Sequence, residues 1–342
     1  MRTVDGGIKM KRVLSFLMSV IMVVGVFGII PTQAKAEKII TSSDNDFKYV
    51  LNSDGGATIV ECLTSPRKLI IPDEIDNYKV TRIRKVGNCK PKVLQIGKNV
   101  RVINRDKGLD SVKKLVAVNS NTYFSTVSGV LFNKQGTRLV YYPRSKSATK
   151  YIVPKTVRVI GDGAFGAAKN LKKVVFYDRL KKIDDYAFAG CEKLRAAVIP
   201  KSVTYIGICA YWQCRKLSKL SVGGNKRLII GFWAFESCKS LKSLTMPLMS
   251  EKCTGGVFER SGIKKVTIPQ NVSAIPKEFF IGCNRLNSIT VPSTVKRIGE
   301  KALGYIWGDY EVEKNKNFVI KGTKGSAAEK YAEANKIKFK SI

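Results

Sequence analysis

The chain of 342 residues contains no histidine. This absence excludes Ser–His–Asp and Cys–His catalysis of the usual kind, and it excludes any metal site that needs an imidazole ligand. The eight cysteines form no Cys-x-x-Cys pair, so neither a zinc ribbon nor a thioredoxin-like motif is supported. We therefore expect a protein with no metal, no cofactor and no small-molecule substrate, and we do not expect an enzyme.

Acidic residues are scarce. The chain has 26 Asp and Glu against 61 Lys and Arg, which gives a formal net charge of +35. A charge of this size attracts polyanions and repels other copies of the same chain, so we expect a monomer with an anionic partner. A hydrophobic content of 44% is ordinary for a folded protein, so the excess of charge does not indicate disorder.

Long apolar runs are absent after residue 36. Within residues 1–36, a basic start precedes an apolar run from Val13 to Ile30, and Ala34-Lys35-Ala36 offers a small-residue cleavage site. A single membrane anchor is the alternative, because the run is near the lower length limit for spanning. Pro31 ends the run just before the cleavage site, which favours a signal peptide cleaved after Ala36 and a secreted mature protein. Residues 1–36 hold five basic residues and one acid, so the mature charge is +31.

The dominant pattern is a phrase of about two dozen residues that recurs along the chain. Its first clear position is occupied in turn by Gly161, Asp184, Gly207, Gly231, Thr254, Pro276 and Gly299. The steps between these positions are 23, 23, 24, 23, 22 and 23 residues. A near-constant step of this length indicates a solenoid, in which each copy buries its apolar side by stacking on its neighbours. The period falls within the leucine-rich-repeat range.

Each copy contains two recognisable parts. The segment at 171–176 alternates apolar and polar residues with period two, which predicts a half-buried strand that a following proline ends. The Gly-x-x-Ala-Phe segment before it is predicted to form one helical or 3₁₀ turn whose aromatic residue points inward. Because equivalent positions stack, we expect one buried column of aromatic rings, formed by Phe165, Phe188, Tyr211 and Phe235.

The chain ahead of the regular repeats is predicted to divide into two segments. Residues 37–66 are predicted to form an N-terminal β cap, because Phe47–Leu51 and Ala57–Val60 are strand-like and flank a turn-rich sequence. Residues 67–149 hold degenerate repeats and a hairpin variant at 129–142 with a glycine-bearing loop.

Regular repeats are expected over residues 150–310. Residues 311–342 are predicted to form a C-terminal cap of strand, helix and strand. Ser326 and Glu329 have the spacing of a capping box that would open the helix.

The chain resembles the BspA-like leucine-rich-repeat family of secreted and surface bacterial proteins. The phrases that carry the resemblance are Val157…Ile160-Gly161…Ala164-Phe165, Ala187-Phe188…Cys191…Leu194, Val291-Pro292…Val295…Ile298-Gly299…Ala302, the hairpin 129–143 and the ending 325–332. The resemblance extends over residues 40–342 and implies a β-rich (α/β-type) solenoid wound as a right-handed superhelix of 22–24-residue repeats. It also implies extracellular or cell-surface protein binding, including adhesion to host matrix proteins, and it supplies no catalytic residues.

The cysteines suggest one column of thiols. Cys191, Cys214, Cys238 and Cys283 share one repeat position, at which Ser261 stands in the fifth copy. Stacked strands lie about 4.8 Å apart, so neighbouring thiols could form disulfides, and export permits them. A buried ladder of reduced thiols is favoured, because Cys is often fully buried and the column also accepts small residues. The sequence does not pair the remaining cysteines, which are Cys62, Cys89, Cys209 and Cys253.

Basic residues recur at outward strand positions and give the candidate binding surface. They are Lys172, Lys173, Arg195, Lys219, Lys242, Lys264 and Lys265. Residues 23 apart should become neighbours, which is unfavourable for like charges unless a ligand compensates. A solvated surface that keeps the protein soluble is the alternative interpretation.

The expected function is binding of a macromolecular partner through this basic face. The partner is an extracellular protein, such as a host matrix protein, or an anionic polymer, such as teichoic acid, acidic polysaccharide or DNA. Specific nucleic acid recognition is not expected.

Two further sets of residues carry weaker hypotheses. Trp212, Trp233, Tyr205 and Trp307 could form a stacking platform for sugars or peptides, although core packing is favoured for them. Asp184-Asp185 could suggest a glycan-active enzyme. Asp184 occupies the glycine position of its repeat, which argues against catalysis.

Overall fold

The structure is a computed structural model, and it describes residues 37–86, 89–104, 109–308 and 311–342. Residues Ile40–Ile342 form one compact unit. The predicted signal peptide, residues 1–36, lies outside the described residues. Within the described ranges, no helix has both the length and the apolar character needed to cross a bilayer.

The described chain begins with a β-hairpin. Strand β2 (Phe47–Leu51) pairs antiparallel with β3 (Ala57–Cys62), as the sequence predicts, and β1 (Ile40–Thr41) adds to the edge. Strand β3 then pairs in parallel with β6 (Tyr78–Ile83), so the hairpin joins the first coil directly. Its role as a cap stays a prediction.

The degenerate repeats form parallel sheets despite their poor match to the repeat phrase. The remaining strands of this part are β4 (Lys68–Ile70), β5 (Glu74–Ile75), β7 (Val93–Ile96), β8 (Val102–Ile103) and β9 (Lys114–Ala117). Strands β4, β7 and β9 pair in parallel, and β6 pairs in parallel with β8. The coil is therefore established before the regular repeats begin.

The predicted hairpin variant is present and belongs to the coil. Strand β10 (Phe124–Val127) pairs with β11 (Val130–Asn133), which pairs with β12 (Arg138–Tyr141), all antiparallel. Strand β12 then pairs in parallel with β14 (Val159–Ile160), within the first of the regular repeats. The hydrophobic core divides here, since Phe132 and Leu139 lie in one cluster of buried side chains while Leu131 and Tyr141 lie in the other.

Most regular repeats contribute two parallel strands, whereas the repeat around Thr254 contributes only a second-face strand. The strands of the first face, called first-sheet strands here, are β14 (Val159–Ile160), β16 (Lys182–Ile183), β18 (Tyr205–Ile206), β20 (Ile229–Ile230), β23 (Ala274–Ile275) and β25 (Arg297–Ile298). The first four share one sheet, and β23 pairs with β25. The second-face strands are β13 (Lys150–Ile152), β15 (Lys173–Val175), β17 (Ala196–Ile199), β19 (Lys219–Val222), β21 (Ser243–Thr245), β22 (Lys265–Thr267) and β24 (Ser288–Thr290). Sequence periodicity predicts the second-face strands. It does not find the first-sheet strands, because two residues are too few to show a period.

The expected helical or 3₁₀ turn is wrong. The segment from Gly161 to Ala168 is a run of tight turns, in which the N–H groups of Ala164, Gly166 and Ala168 each bond to the carbonyl three residues earlier. The backbone is left-handed at Gly163 (φ 55°) and Ala167 (φ 54°). This conformation directs the N–H groups of Gly163, Phe165 and Ala167 along the solenoid axis. Those groups bond to the next rung instead of within their own segment, which a helical turn does not allow.

The aromatic column is confirmed and is longer than predicted. Phe165, Phe188, Tyr211, Phe235 and Phe258 stack nearly parallel, with successive ring centroids 4.7, 4.8, 5.1 and 5.2 Å apart and interplanar angles of 8–11°. Tyr142 and Phe280 extend the stack at its two ends. All seven rings are buried, so the column forms the centre of the core.

The chain ends in the predicted order of strand, helix and strand. These elements are β28 (Val319–Gly322), α1 (Ala327–Ala334) and β29 (Lys338–Ser341). An antiparallel pair of strands that was not predicted, β26 (Tyr305–Trp307) and β27 (Val312–Lys314), precedes them. Strand β28 pairs in parallel with β24 and with β29, so this ending continues the second face. Its role as a cap stays a prediction.

The predicted capping box is wrong in its details. The Ser326 side chain makes no capping hydrogen bond, although Ser326 is the N-cap residue of α1. The Glu329 carboxylate accepts the N–H of Gly325 at 2.5 Å, not that of Ser326. The Glu329 side chain therefore accepts a hydrogen bond from the backbone N–H of the glycine before the N-cap residue.

Candidate partner-binding face

The seven predicted basic residues are all exposed, and they lie on the second face in two adjacent columns. The column that starts the strands runs Lys173, Ala196, Lys219 on paired strands, and Lys265 stands opposite Ser243 on the next pair. The column one residue earlier contains Lys172, Arg195, Ser218, Lys242 and Lys264, joined by backbone hydrogen bonds from rung to rung except between Ser218 and Lys242.

The two columns contain both charged and small neutral residues. Lys173 and Lys219 are separated by Ala196, but Lys150 stands directly opposite Lys173. In the other column Arg195 follows Lys172 on the next rung, so like charges stack on some rungs and are interrupted on others. Arg195 and Lys242 stand in the other column, beside the gaps left by Ala196 and Ser243. Since like charges directly opposite each other destabilise a sheet, this stagger lowers the cost between Lys173 and Lys219, whereas the Lys150–Lys173 pair retains it.

These cations have no carboxylate partners among the described residues. None of the seven lies within salt-bridge distance of Asp or Glu there, and the Lys242 ammonium donates instead to the carbonyl of Lys239 at 3.0 Å. The nearest acid in sequence, Glu192, pairs with Arg215 at 3.9 Å. The face is therefore electropositive without internal neutralisation.

Acidic side chains gather on the turn segments instead. Asp184 accepts from Arg138 at 2.5 Å, and Asp185 accepts the N–H of Ile208 at 2.8 Å and the hydroxyl of Tyr205 at 3.1 Å. Both aspartates are thus engaged in holding neighbouring rungs together, which leaves no free carboxylate pair of the kind a glycosidase uses.

The tryptophans form part of the solenoid wall. The Trp233 indole donates to Glu259 at 2.6 Å, and the Arg260 guanidinium lies 5.2 Å from the centroid of the Trp307 ring. Arg260 also lies 3.7 Å from both Glu236 and Glu259, whose side chains are buried. The Trp233 and Trp307 rings are half-buried and engaged in these contacts, which agrees with the favoured interpretation of core packing for these two residues.

Burial changes the protonation of this acidic cluster. Burial, with the nearby Glu259 carboxylate as a second cause, raises the pKa of Glu236 to about 7, although Arg260 opposes the shift. Burial also raises the pKa of Glu259. Sequence reasoning missed this cluster. Its signal was a glutamate after Phe235 and Phe258, where the earlier copies have the small residues Gly166 and Ala189.

The cysteine column is confirmed as reduced and buried. All eight cysteines are free and buried. The thiols of Cys191, Cys214, Cys238 and Cys283 each donate to the carbonyl of the aromatic residue one rung earlier, at 3.0, 3.2, 3.5 and 3.2 Å. Burial raises the pKa of Cys191 to about 12, so the thiol form persists at neutral pH.

The four remaining cysteines have separate environments. Burial and a hydrogen bond with Cys62 raise the pKa of Cys89 to about 12. Burial likewise raises the pKa of Cys209 to about 12. The Cys253 sulfur accepts the N–H of Ile230 at 3.3 Å. Among the described residues, no group of His, Cys, Asp and Glu has the arrangement of a metal site.

Stacked parallel strands, a buried aromatic column and an open second face define a leucine-rich-repeat β-solenoid, a class of repeat protein used for protein–protein interaction. The BspA type leucine rich repeat region matches this chain in six copies, over residues 140–229 and 224–307. The chain therefore belongs to the BspA-type leucine-rich-repeat proteins.

Comparison with solved structures supports the fold through one of them. A leucine-rich repeat protein from Eubacterium ventriosum is 20% identical and superposes with a TM-score of 0.53, covering 78% of this chain and 94% of its own. A leucine rich cell surface protein from Faecalibacterium prausnitzii is 19% identical (TM-score 0.39; 84% and 89% covered). The pneumococcal vaccine antigen PcpA is 16% identical (TM-score 0.42; 90% and 99% covered). Of these three, only the Eubacterium ventriosum structure has a TM-score above 0.5, so the similarity in fold rests on that structure. No curated protein matches this chain.

Proposed function

We propose that this protein is a secreted, non-enzymatic binding protein whose basic second face holds a macromolecular partner, with a protein receptor as the main candidate. The observation that carries the proposal is the pair of staggered columns. Every rung from β13 to β22 presents at least one exposed Lys or Arg, and none of the seven predicted cations has a carboxylate partner among the described residues. Such a face attracts an anionic surface over a length of many rungs.

The rigid repeat architecture supports binding by area. A solenoid presents an extended surface whose shape is fixed by stacking, which suits a large partner better than a small substrate. The BspA-type family points the same way, because its repeats are used for interaction. Secretion or exposure at the cell surface is consistent with the N-terminal sequence and with the family.

An anionic polymer is the second candidate. The observation that favours it is the continuous supply of one or more cations per rung, since a linear polyanion could follow such a row without any specific pocket. Binding of this kind weakens steeply as salt increases, whereas a protein interface with apolar contacts tolerates salt.

A pull-down with the purified protein at low and moderate salt tests the proposal. Host matrix proteins, teichoic acid and an acidic polysaccharide serve as competing partners. The test variant carries Lys172→Ser, Lys173→Ser and Lys219→Ser. The control carries Lys252→Ser, Lys316→Ser and Lys324→Ser, which remove the same charge at exposed positions outside the second-face strands. Loss of capture in the test variant alone supports the proposal, and equal capture by both variants contradicts it.

A further inference from the structure

An exposed aliphatic column runs beside the basic columns. Ile152, Val175 and Val198 lie two residues after the positions of Lys150, Lys173 and Ala196, so they are on the same face of the sheet. Ile152 is 51% exposed and Val198 is 62% exposed, which makes them among the most exposed aliphatic side chains described, and Val175 between them is half-buried. When a partner covers aliphatic side chains this exposed, apolar surface is removed from water, and this burial favours binding.

The apolar part of this column is confined to three rungs. The same register position is occupied later by Ser221, Thr245, Thr267 and Thr290. Tyr177, which follows β15, adds a 38% exposed ring at the border of the patch, and the Lys155 ammonium lies 5.4 Å from its centroid. The result is a short apolar strip between cations, and it is absent from the later rungs.

Strands β13, β15, β17 and β19 carry no Asp or Glu. A complementary partner therefore needs one row of apolar side chains and a parallel row of carboxylates. The two rows on this face are about 6.6 Å apart, because they are two residues apart on one strand. Each row repeats about every 4.8 Å along the solenoid, once per rung.

We propose that the β13–β19 face binds an acidic amphipathic α-helix of a protein partner, laid along the solenoid axis. This inference rests on the proposed function and specifies the partner for these rungs. An α-helix repeats its face about every 5.4 Å, so over three rungs its successive turns stay close to successive rungs. Its apolar stripe covers Ile152, Val175 and Val198, and its flanking carboxylates meet Lys150, Lys173 and Lys219.

A hydrated polyanion does not account for the strip. A polysaccharide or teichoic acid binds through its charges to the cations. It does not bury the aliphatic side chains, so their burial adds nothing to its affinity. Dependence on both rows is therefore the property that separates an amphipathic helix from a polymer.

The test uses two synthetic peptides of identical composition and charge. One places Leu on a single helical face with Glu along its flank, and the other has the same residues in an order that destroys the face. Binding to the purified protein is measured by fluorescence anisotropy at low and moderate salt. The test variant is Ile152→Ser with Val198→Ser, the control is Thr245→Ser in the hydroxyl part of the same column, and thermal melting verifies that each variant is folded.

The proposal predicts that the amphipathic peptide binds roughly tenfold or more tightly than its reordered isomer and retains binding at moderate salt. The Ile152→Ser/Val198→Ser variant removes that difference, and Thr245→Ser keeps it. Equal binding of the two peptides overturns the helix proposal. If the Lys172/Lys173/Lys219→Ser variant then loses both peptides, the basic-face function stands; if it binds both as the native protein does, that function fails as well.

Discussion

The thiol of Cys214 donates a hydrogen bond to the carbonyl of Phe188, one rung earlier, at 3.2 Å. The same carbonyl accepts the N–H of Cys191 from its own rung at 3.1 Å. One backbone oxygen thus accepts hydrogen bonds from two rungs. The carbonyls of Phe165, Tyr211 and Phe258 do the same, each accepting a thiol from the next rung and an N–H from its own. The two predicted columns, one of rings and one of thiols, are therefore a single hydrogen-bonded unit.

The aromatic column should respond differently to two substitutions. Phe188→Ala removes a fully buried ring that stacks on Phe165 and Tyr211, so it should lower the free energy of unfolding by about 3–5 kcal/mol. Tyr211→Phe keeps its ring and removes a buried hydroxyl that has no hydrogen-bond partner in the structure. This change should raise stability by about 1–3 kcal/mol.

Urea denaturation followed by circular dichroism measures both effects. Tyr211→Phe is the matched control for loss of the ring, since it changes only the polar atom of the column. A Phe188→Ala variant as stable as the native protein would contradict the stacked core.

The thiols should be unreactive in the folded protein. The column thiols are fully buried, and burial raises the pKa of Cys191 and of Cys283 to about 12, so almost no thiolate is present at neutral pH. A chromogenic disulfide reagent should therefore label the native protein very slowly and label all eight cysteines after denaturation. Eight thiols found without prior reduction support the reduced column, and a lower count would show disulfides.

Stability should depend on the protonation of Glu236. Its pKa is raised from 4.5 in the unfolded chain to about 7, mainly by burial. The folded state therefore holds this proton more tightly, and the resulting stability is fully present below pH 4.5 and is lost as the pH rises through 7. The groups that face it are Glu259, Arg260, Trp212 and Ser237.

Glu236→Gln removes this dependence. The variant should be more stable than the native protein at pH 8, by as much as about 3 kcal/mol, and the advantage should shrink as the pH falls toward 4.5. Unfolding midpoints across this range measure the effect, with Glu192→Gln as an exposed control. A constant difference between variant and native protein at every pH would show that Glu236 does not titrate in this window.

The repeat period alone predicts the coil, the second-face strands and the inward aromatic residues, because each of these depends on which positions are apolar. The turn segment could not be predicted in the same way. Its left-handed positions hold Gly163 and Gly190 in some copies but Ala167, Gln213 and Trp233 in others, so glycine does not mark them consistently. Rung-to-rung hydrogen bonds hold that conformation, and these bonds do not depend on side-chain type.

The exposed cations of the second face were predicted by residue but not by arrangement, and their role in binding stays a prediction. These cations were identified as outward strand positions, whereas their division between two columns depends on the strand register. Lys173 is paired with Ala196, and Arg195 follows Lys172 in the other column. A shift of one residue between copies decides which column a cation occupies. Because the repeat length itself varies between 22 and 24 residues, the sequence does not show which column each cation joins.

The most direct test of the account is the salt dependence of partner binding by two variants of equal charge. Exposed ion pairs contribute about 0.2–1 kcal/mol each, so Lys172→Ser/Lys173→Ser/Lys219→Ser should weaken the captured partner's binding roughly 3-fold to 100-fold and flatten its salt dependence. Lys252→Ser/Lys316→Ser/Lys324→Ser, whose residues lie outside the second-face strands, should leave both the affinity and the salt slope close to native. Equal weakening by the two variants would show that net charge, and not the second face, holds the partner.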